Sequence, residues 1–124
     1  MIIHLDTNFL IGAQKPGTVP NQKFLEWLAC GDLFEISVLV WAEFLCGSLT
    51  HEEEASARLL ISAQHPMSDG QAELGAKLFR ETGRRKRSLA DCLIAACAIL
   101  ADAPLATENR TDFEKLVPLG LRLA

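Results

Sequence analysis

Short compact apolar runs and longer stretches with helically spaced apolar positions take turns along this chain. Ile2-Ile3-His4-Leu5 predicts a buried strand, and Phe9 to Ala13 a short apolar turn or helix that Lys15-Pro16-Gly17 breaks. A helix opening at Pro20 or Asn21 carries Phe24, Leu25 and Leu28 and stops at Gly31. Leu33 to Val38, rich in β-formers, predicts a second strand; from Leu39 the spacing turns helical through Trp41, Phe44 and Leu45 as far as Gly47. Thr50 with Glu53 is a capping box for a helix that continues through Leu59, Leu60 and Ile61. Gln64 to Met67 predicts a third strand, and Ser68 starts a helix with Leu74, Leu78 and Phe79 that Gly83 ends. Ser88 opens the most apolar helix, running to about Asp102, followed by a short strand at Pro104–Thr107 and an edge strand at Leu119–Leu123. Strands alternating with helices predict an α/β fold with a mostly parallel sheet covered on both faces. The pattern leaves the strand order open.

Size and composition sharpen this. A chain of 124 residues suits one domain, 1–124. A hydrophobic content of 49% with a mean hydropathy of +0.17 supports a sizeable core and leaves apolar surface for a partner chain, which excludes global disorder. The longest nearly uncharged run, Cys92 to Ala101, is too short to span a bilayer, and the N-terminus lacks a basic segment and a cleavage site. A cytoplasmic protein without membrane contact is expected. Cys30, Cys46, Cys92 and Cys97 lie in apolar segments with no CxxC and no His nearby, so buried reduced thiols are expected rather than a zinc site. The net charge of −4 excludes a protein that coats nucleic acid by bulk attraction, but not an enzyme with an acidic site and a local basic patch.

Chemistry enters with carboxylates in apolar surroundings. Asp6 follows the first strand, Glu43 is the one charge in Val38 to Leu45, and Asp91 is nearly alone in Leu89 to Ala96. Such carboxylates are expected to be partly desolvated, which is costly without a compensating cation or donor. Each also has a plainer reading. Asp6 suits a helix cap, Ser88-x-x-Asp91 a capping arrangement, and Glu43 the exposed side of a buried helix. Asp112, in Thr107-Glu108-Asn109-Arg110-Thr111-Asp112-Phe113, suits the N-cap of a last short helix. All four fall after a strand or in the first turns of a helix, places that share one edge of a parallel sheet. Converging there, they repel one another unless divalent cations neutralise them, and an all-oxygen set favours Mg²⁺ or Mn²⁺ over zinc. Phosphodiester hydrolysis is the natural chemistry of such a site. Arg84-Arg85-Lys86-Arg87, just before the Asp91 helix, puts positive charge beside it, suited to a phosphate backbone; alone it also reads as a solvated loop.

With these residues in view, the chain resembles the PIN-domain ribonucleases, and within them the VapC toxins of toxin–antitoxin pairs. Ile3-His4-Leu5-Asp6-Thr7-Asn8 resembles the family's first motif and Trp41-Ala42-Glu43-Phe44-Leu45-Cys46-Gly47 its second. Leu89 to Ala96 is similar to the third, and Thr107 to Phe113 to the fourth. Each motif is weak alone, but their order, spacing and the total length agree. The resemblance implies a three-layer α/β/α sandwich and Mg²⁺- or Mn²⁺-dependent endonucleolytic cleavage of RNA, with tRNA or rRNA as the expected target. Carried over, it makes Asp6, Glu43, Asp91 and Asp112 the acidic metal-binding and catalytic cluster, with Thr7, Asn8 and Asn109 lining the site. It further implies a homodimer or toxin–antitoxin hetero-oligomer, inhibited by a cognate antitoxin. His4 departs from the usual apolar strand position and is read as structural; His51 and His65 carry no ligand spacing.

Two other classes compete. A haloacid-dehalogenase-type phosphatase also opens with a strand and an Asp, but needs a second Asp where Asn8 stands. A degenerate PIN-like scaffold binding RNA or protein typically loses acids that this chain keeps.

Overall fold

In the computed structural model, which describes residues 1–47, 49–83 and 88–124 (Ser88 in backbone only), a four-stranded parallel sheet lies between two layers of helices. β1 (Ile2–Leu5) is followed by α1 (Thr7–Ala13) and α2 (Val19–Ala29). β2 (Leu33–Ser37) runs straight into α3 (Val38–Leu45), and α4 (His51–Leu60) leads to β3 (Ala63–His65). α5 (Asp69–Glu81) and α6 (Ser88–Leu100) precede β4 (Leu105–Ala106) and α7 (Arg110–Glu114).

The sheet order is β3-β2-β1-β4. The chain winds outward from β1 to β3 and then crosses back to the far side of β1. Right-handed crossovers in opposite directions put their helices on opposite faces. On one face, Phe34 of β2 packs on Phe24 of α2, ring centroids 4.4 Å apart, and Phe9 of α1 stacks on Trp27. The other face lies under α6, with α5 packed along it. The reversal falls between β1 and β4, and the crevice at such a switch point, beyond the carboxyl ends of the strands, is where open parallel sheets bind ligands.

The inner strands β1 and β2 are covered on both faces, as a parallel sheet between helical layers requires. Ile3, Leu5, Phe34 and Ile36 project to one face and are all buried, while Ile2 and Leu33 at the strand starts are exposed. Side-chain caps define the helix starts. Thr18, Ser37, Thr50 and Ser68 each accept a backbone N–H of the first turn, at Asn21, Val40, Glu53 and Gln71.

Several expectations are corrected. α2 begins at Val19 rather than at Pro20 or Asn21, because Thr18 caps it and proline suits the first turn. β3 lies at Ala63–His65, earlier than Gln64–Met67, paired with Glu35–Ser37. The edge strand at Leu119–Leu123 does not form: Val117–Leu119 is a 3₁₀ turn closed by left-handed Gly120 (φ 116°), leaving only a bridge from Leu123 to Leu105. Cys92 and Cys97 are buried, but Cys30 and Cys46 are exposed, because each caps a helix C-terminus at the surface. No helix among the described residues is long and apolar enough to cross a membrane.

Candidate active site

Asp6 stands where β1 becomes α1, and its two carboxylate oxygens have different duties. Oδ1 accepts the Thr7 backbone N–H at 2.8 Å, so the expected helix cap is real. Oδ2 accepts the Thr107 hydroxyl, also at 2.8 Å, from the end of β4 across the switch point. Capping and site-forming are therefore one arrangement. The side chain is nearly buried, 5% exposed. Burial pushes its carboxyl up, the hydrogen bonds from Thr107 and Thr7 pull it down, and the Glu43 charge adds to the rise.

Thr7 links the first acid to the second. Its hydroxyl donates to Glu43 Oε1 at 2.7 Å while its backbone N–H holds Asp6. Glu43 itself is exposed, against the expectation of partial burial: Val40, Trp41 and Phe44 turn to the core at helical spacing and leave Glu43 on the outer side of α3. On α7, Asn109 rather than Asp112 holds the N-cap position, and Asp112 lies in the first turn, exposed. The Asn109 side-chain amide donates to Asp112 Oδ2 at 2.7 Å, and the Asn109 backbone N–H donates to Thr107 Oγ1 at 2.9 Å.

Asp91 joins the group from the first turn of α6. Its carboxyl is pushed up to about 6, first by burial and then by the charges of Asp6, Glu43 and Asp112. All four acids thus share one electrostatic environment, at the edge where the motifs converge. Asn8 is exposed on α1, with no side-chain hydrogen bond found among the described residues. Arg84, Arg85, Lys86 and Arg87 lie outside the described residues, as does the side chain of Ser88 in its expected capping role.

Thr107 is the residue that sequence reasoning passes over as a strand end. The available signal is the Thr-x-Asn step after a short apolar strand, a hydroxyl-capped turn that fixes the side chain at the crevice.

The donor set fits a divalent oxygen-seeking cation. The charges of Asp6, Glu43 and Asp112 raise the proton affinity of Asp91, and Glu43 adds to the rise at Asp6, a crowding that a 2+ charge relieves. No three of them bring ligand oxygens within 4.8 Å of one another among the described residues. That spacing suits an ion held partly through its own water, the habit of Mg²⁺.

Comparison with known proteins identifies relatives of the whole chain. The PIN domain family matches residues 3–117. Among solved structures, VapBC2 from Rickettsia felis, bound to a DNA fragment from its promoter, is similar over 100% of this chain and 98% of that chain, at 26% identity and a TM-score of 0.76. A toxin–antitoxin complex from Klebsiella pneumoniae is 27% identical over 90% of this chain and 89% of that chain, with a TM-score of 0.67. VapBC-1 from nontypeable Haemophilus influenzae shares the fold at 20% identity and a TM-score of 0.74, over 100% and 97% of the two chains. None of the curated proteins matches the chain.

Proposed function

The chain belongs to the PIN domain family, and from that premise we propose that it is a Mg²⁺- or Mn²⁺-dependent endoribonuclease, a VapC-type toxin neutralised by a cognate antitoxin. The observation that carries this reading is the carboxylate group at the switch point, with Asp91 pushed up to about 6 by burial and its three acidic neighbours. Asp6 and Asp91 are the principal ligands in this reading, with Glu43 and Asp112 completing the acidic set.

The chain's own side chains prepare the site. Thr107 and the Thr7 N–H fix both oxygens of Asp6, Thr7 Oγ1 fixes Glu43, and Asn109 fixes Asp112, so these three acids are held in place before any ligand arrives. When bound, the ion polarises a phosphoryl oxygen and offsets the charge that develops in an in-line displacement. The acidic group leaves only cation-assisted approach open to an RNA phosphate, and Arg84 to Arg87 supply the attraction from the sequence next to α6.

A toxin–antitoxin assembly or homodimer is supported by the apolar surface. Leu25 and Leu28 on α2, Leu45 on α3 and Leu59 on α4 remain exposed and offer apolar surface to a partner chain. The test is incubation of purified protein with total RNA, with and without Mn²⁺, followed by mapping of the cut ends. Mn²⁺-dependent cuts that vanish in Asp6→Asn, with the fold retained, are expected. Cleavage that needs no metal, or none under any condition, overturns the reading. Co-expression with the product of a short reading frame directly upstream should relieve growth inhibition.

A further inference from the structure

Sheet pairing gathers three metal-binding side chains that are far apart in sequence. His4 of β1 is the register partner of Glu35 of β2, and Glu35 is the partner of Ala63 of β3. His65 stands two positions beyond Ala63, so all three side chains leave the same face of the sheet. His65 Nε2 lies 2.9 Å from Glu35 Oε1, and the rings of His4 and His65 are 5.0 Å apart. One ligand atom from each residue lies within 4.8 Å of the other two.

His4 is 2% exposed, and its Nε2 is the one buried side-chain nitrogen or oxygen among the described residues without a hydrogen-bond partner. Such an atom requires a reason, because a buried polar group without a partner is costly. The Nε2 of a neutral imidazole offers a lone pair when the ring proton sits on Nδ1. A cavity of about 340 Å³ lined by His65, Ser68, Gln71 and Cys97 gives an approach, and the His65 side chain is 37% exposed.

We propose that His4, Glu35 and His65 form a site for a divalent cation of the zinc class, separate from the carboxylate group around Asp6. Two imidazoles and a carboxylate are a set that zinc accepts, with a further position left for water or a small ligand. Imidazole nitrogens favour Zn²⁺, Co²⁺ or Ni²⁺, whereas the all-oxygen group favours Mg²⁺ or Mn²⁺, so the two sites select different ions. A cation here ties the edge strand β3 through β2 to β1, the strand that ends at Asp6. Binding to the folded chain alone stabilises it.

The test is Zn²⁺ titration of the full chain, stripped with chelator and then kept in excess Mg²⁺ to occupy the carboxylates. One Zn²⁺ per chain, a raised Tm, and visible d–d absorption when Co²⁺ replaces Zn²⁺ are expected. His65→Ala and Glu35→Gln, both partly exposed, should each weaken Zn²⁺ binding at least ~10-fold and remove the Tm rise. Asp6→Asn should bind Zn²⁺ as the parent does. These readouts are independent of RNA cleavage, so failure here is distinguishable from failure of the nuclease reading. Absence of Zn²⁺ binding overturns the proposal, as does binding that survives both substitutions. Loss in Asp6→Asn alone assigns the ion to the carboxylates instead and also overturns it.

Discussion

Thr107 reaches from the end of β4 to one oxygen of Asp6, and its own position is set by the Asn109 N–H. Thr107→Val keeps the volume and removes that donor. Cleavage at saturating Mn²⁺ should fall ~10–100-fold, the usual effect of losing a group that orients a ligand, while Thr107→Ser retains most activity. Asp91 permits a second test at this scale, in chelator-treated protein. Its pKa is raised from 3.8 to about 6, so the folded chain binds this proton more tightly than the unfolded one. That contribution to stability is present at low pH and is lost as pH rises from about 4 to 6. His4, lowered from 6.5 to about 4, acts with the opposite sign over the same window, losing stability as pH falls. Asp91→Asn should therefore be more stable than the parent above pH 6, by ~1–2 kcal/mol after allowing for partial exposure, with the gap closing towards pH 4. Denaturant midpoints measured across pH check this, and an unchanged gap would remove Asp91 from the repulsive group.

At the scale of elements, α5 and α6 pack so closely that a Cβ on Gly75 would stand 2.5 Å from Leu93 Cδ2 and 3.3 Å from its Cα. The side-chain atom yields to a rotamer change, but the Cα is backbone and requires the helices to part. Gly75→Ala gains about 1 kcal/mol in helix propensity, whereas overpacking costs about 1–3 kcal/mol. A net loss in urea midpoint is expected, with reduced cleavage, because Leu93 follows closely on Asp91 in α6. Legibility at this scale depends on local chemistry. Thr50 and Ser68 are recognisable caps, and Gly31 and Gly83 recognisable stops, because each acts within one turn of its helix. β3 and the C-terminal segment escape such reading because strand limits depend on the partner strand. Glu35 to Ser37 set the bounds of β3, and Gly120 turns the last segment away from the sheet.

For the whole molecule, the decisive feature is the reversal of winding between β1 and β4, which opens the crevice where the acids meet. The chain carries a net charge of −4, so the proposed ribonuclease requires a local attraction for RNA. Replacing Arg84, Arg85, Lys86 and Arg87 by Gln should weaken RNA binding and flatten its salt dependence. The log–log slope should fall by up to about 0.7 for each phosphate of a single strand that is no longer neutralised. Binding of inactive Asp6→Asn protein to RNA across a salt series measures this, and an unchanged slope would exclude the segment from the interface.

Periodicity, caps and breakers determined by themselves that the chain is an α/β alternation, and the isolated charges Asp6, Glu43 and Asp91 marked the acidic group, because a carboxylate in an apolar run is visible locally. Tertiary structure decided what those signals could not. It made Asp6 both helix cap and Thr107 acceptor, placed Glu43 on the exposed side of α3, and moved the α7 cap to Asn109. It also brought His65, without any ligand spacing in sequence, to His4 and Glu35. The physical reason is range. Helical spacing and capping act within a few residues, whereas strand register and order join residues whose separation along the chain carries no information about their distance in space.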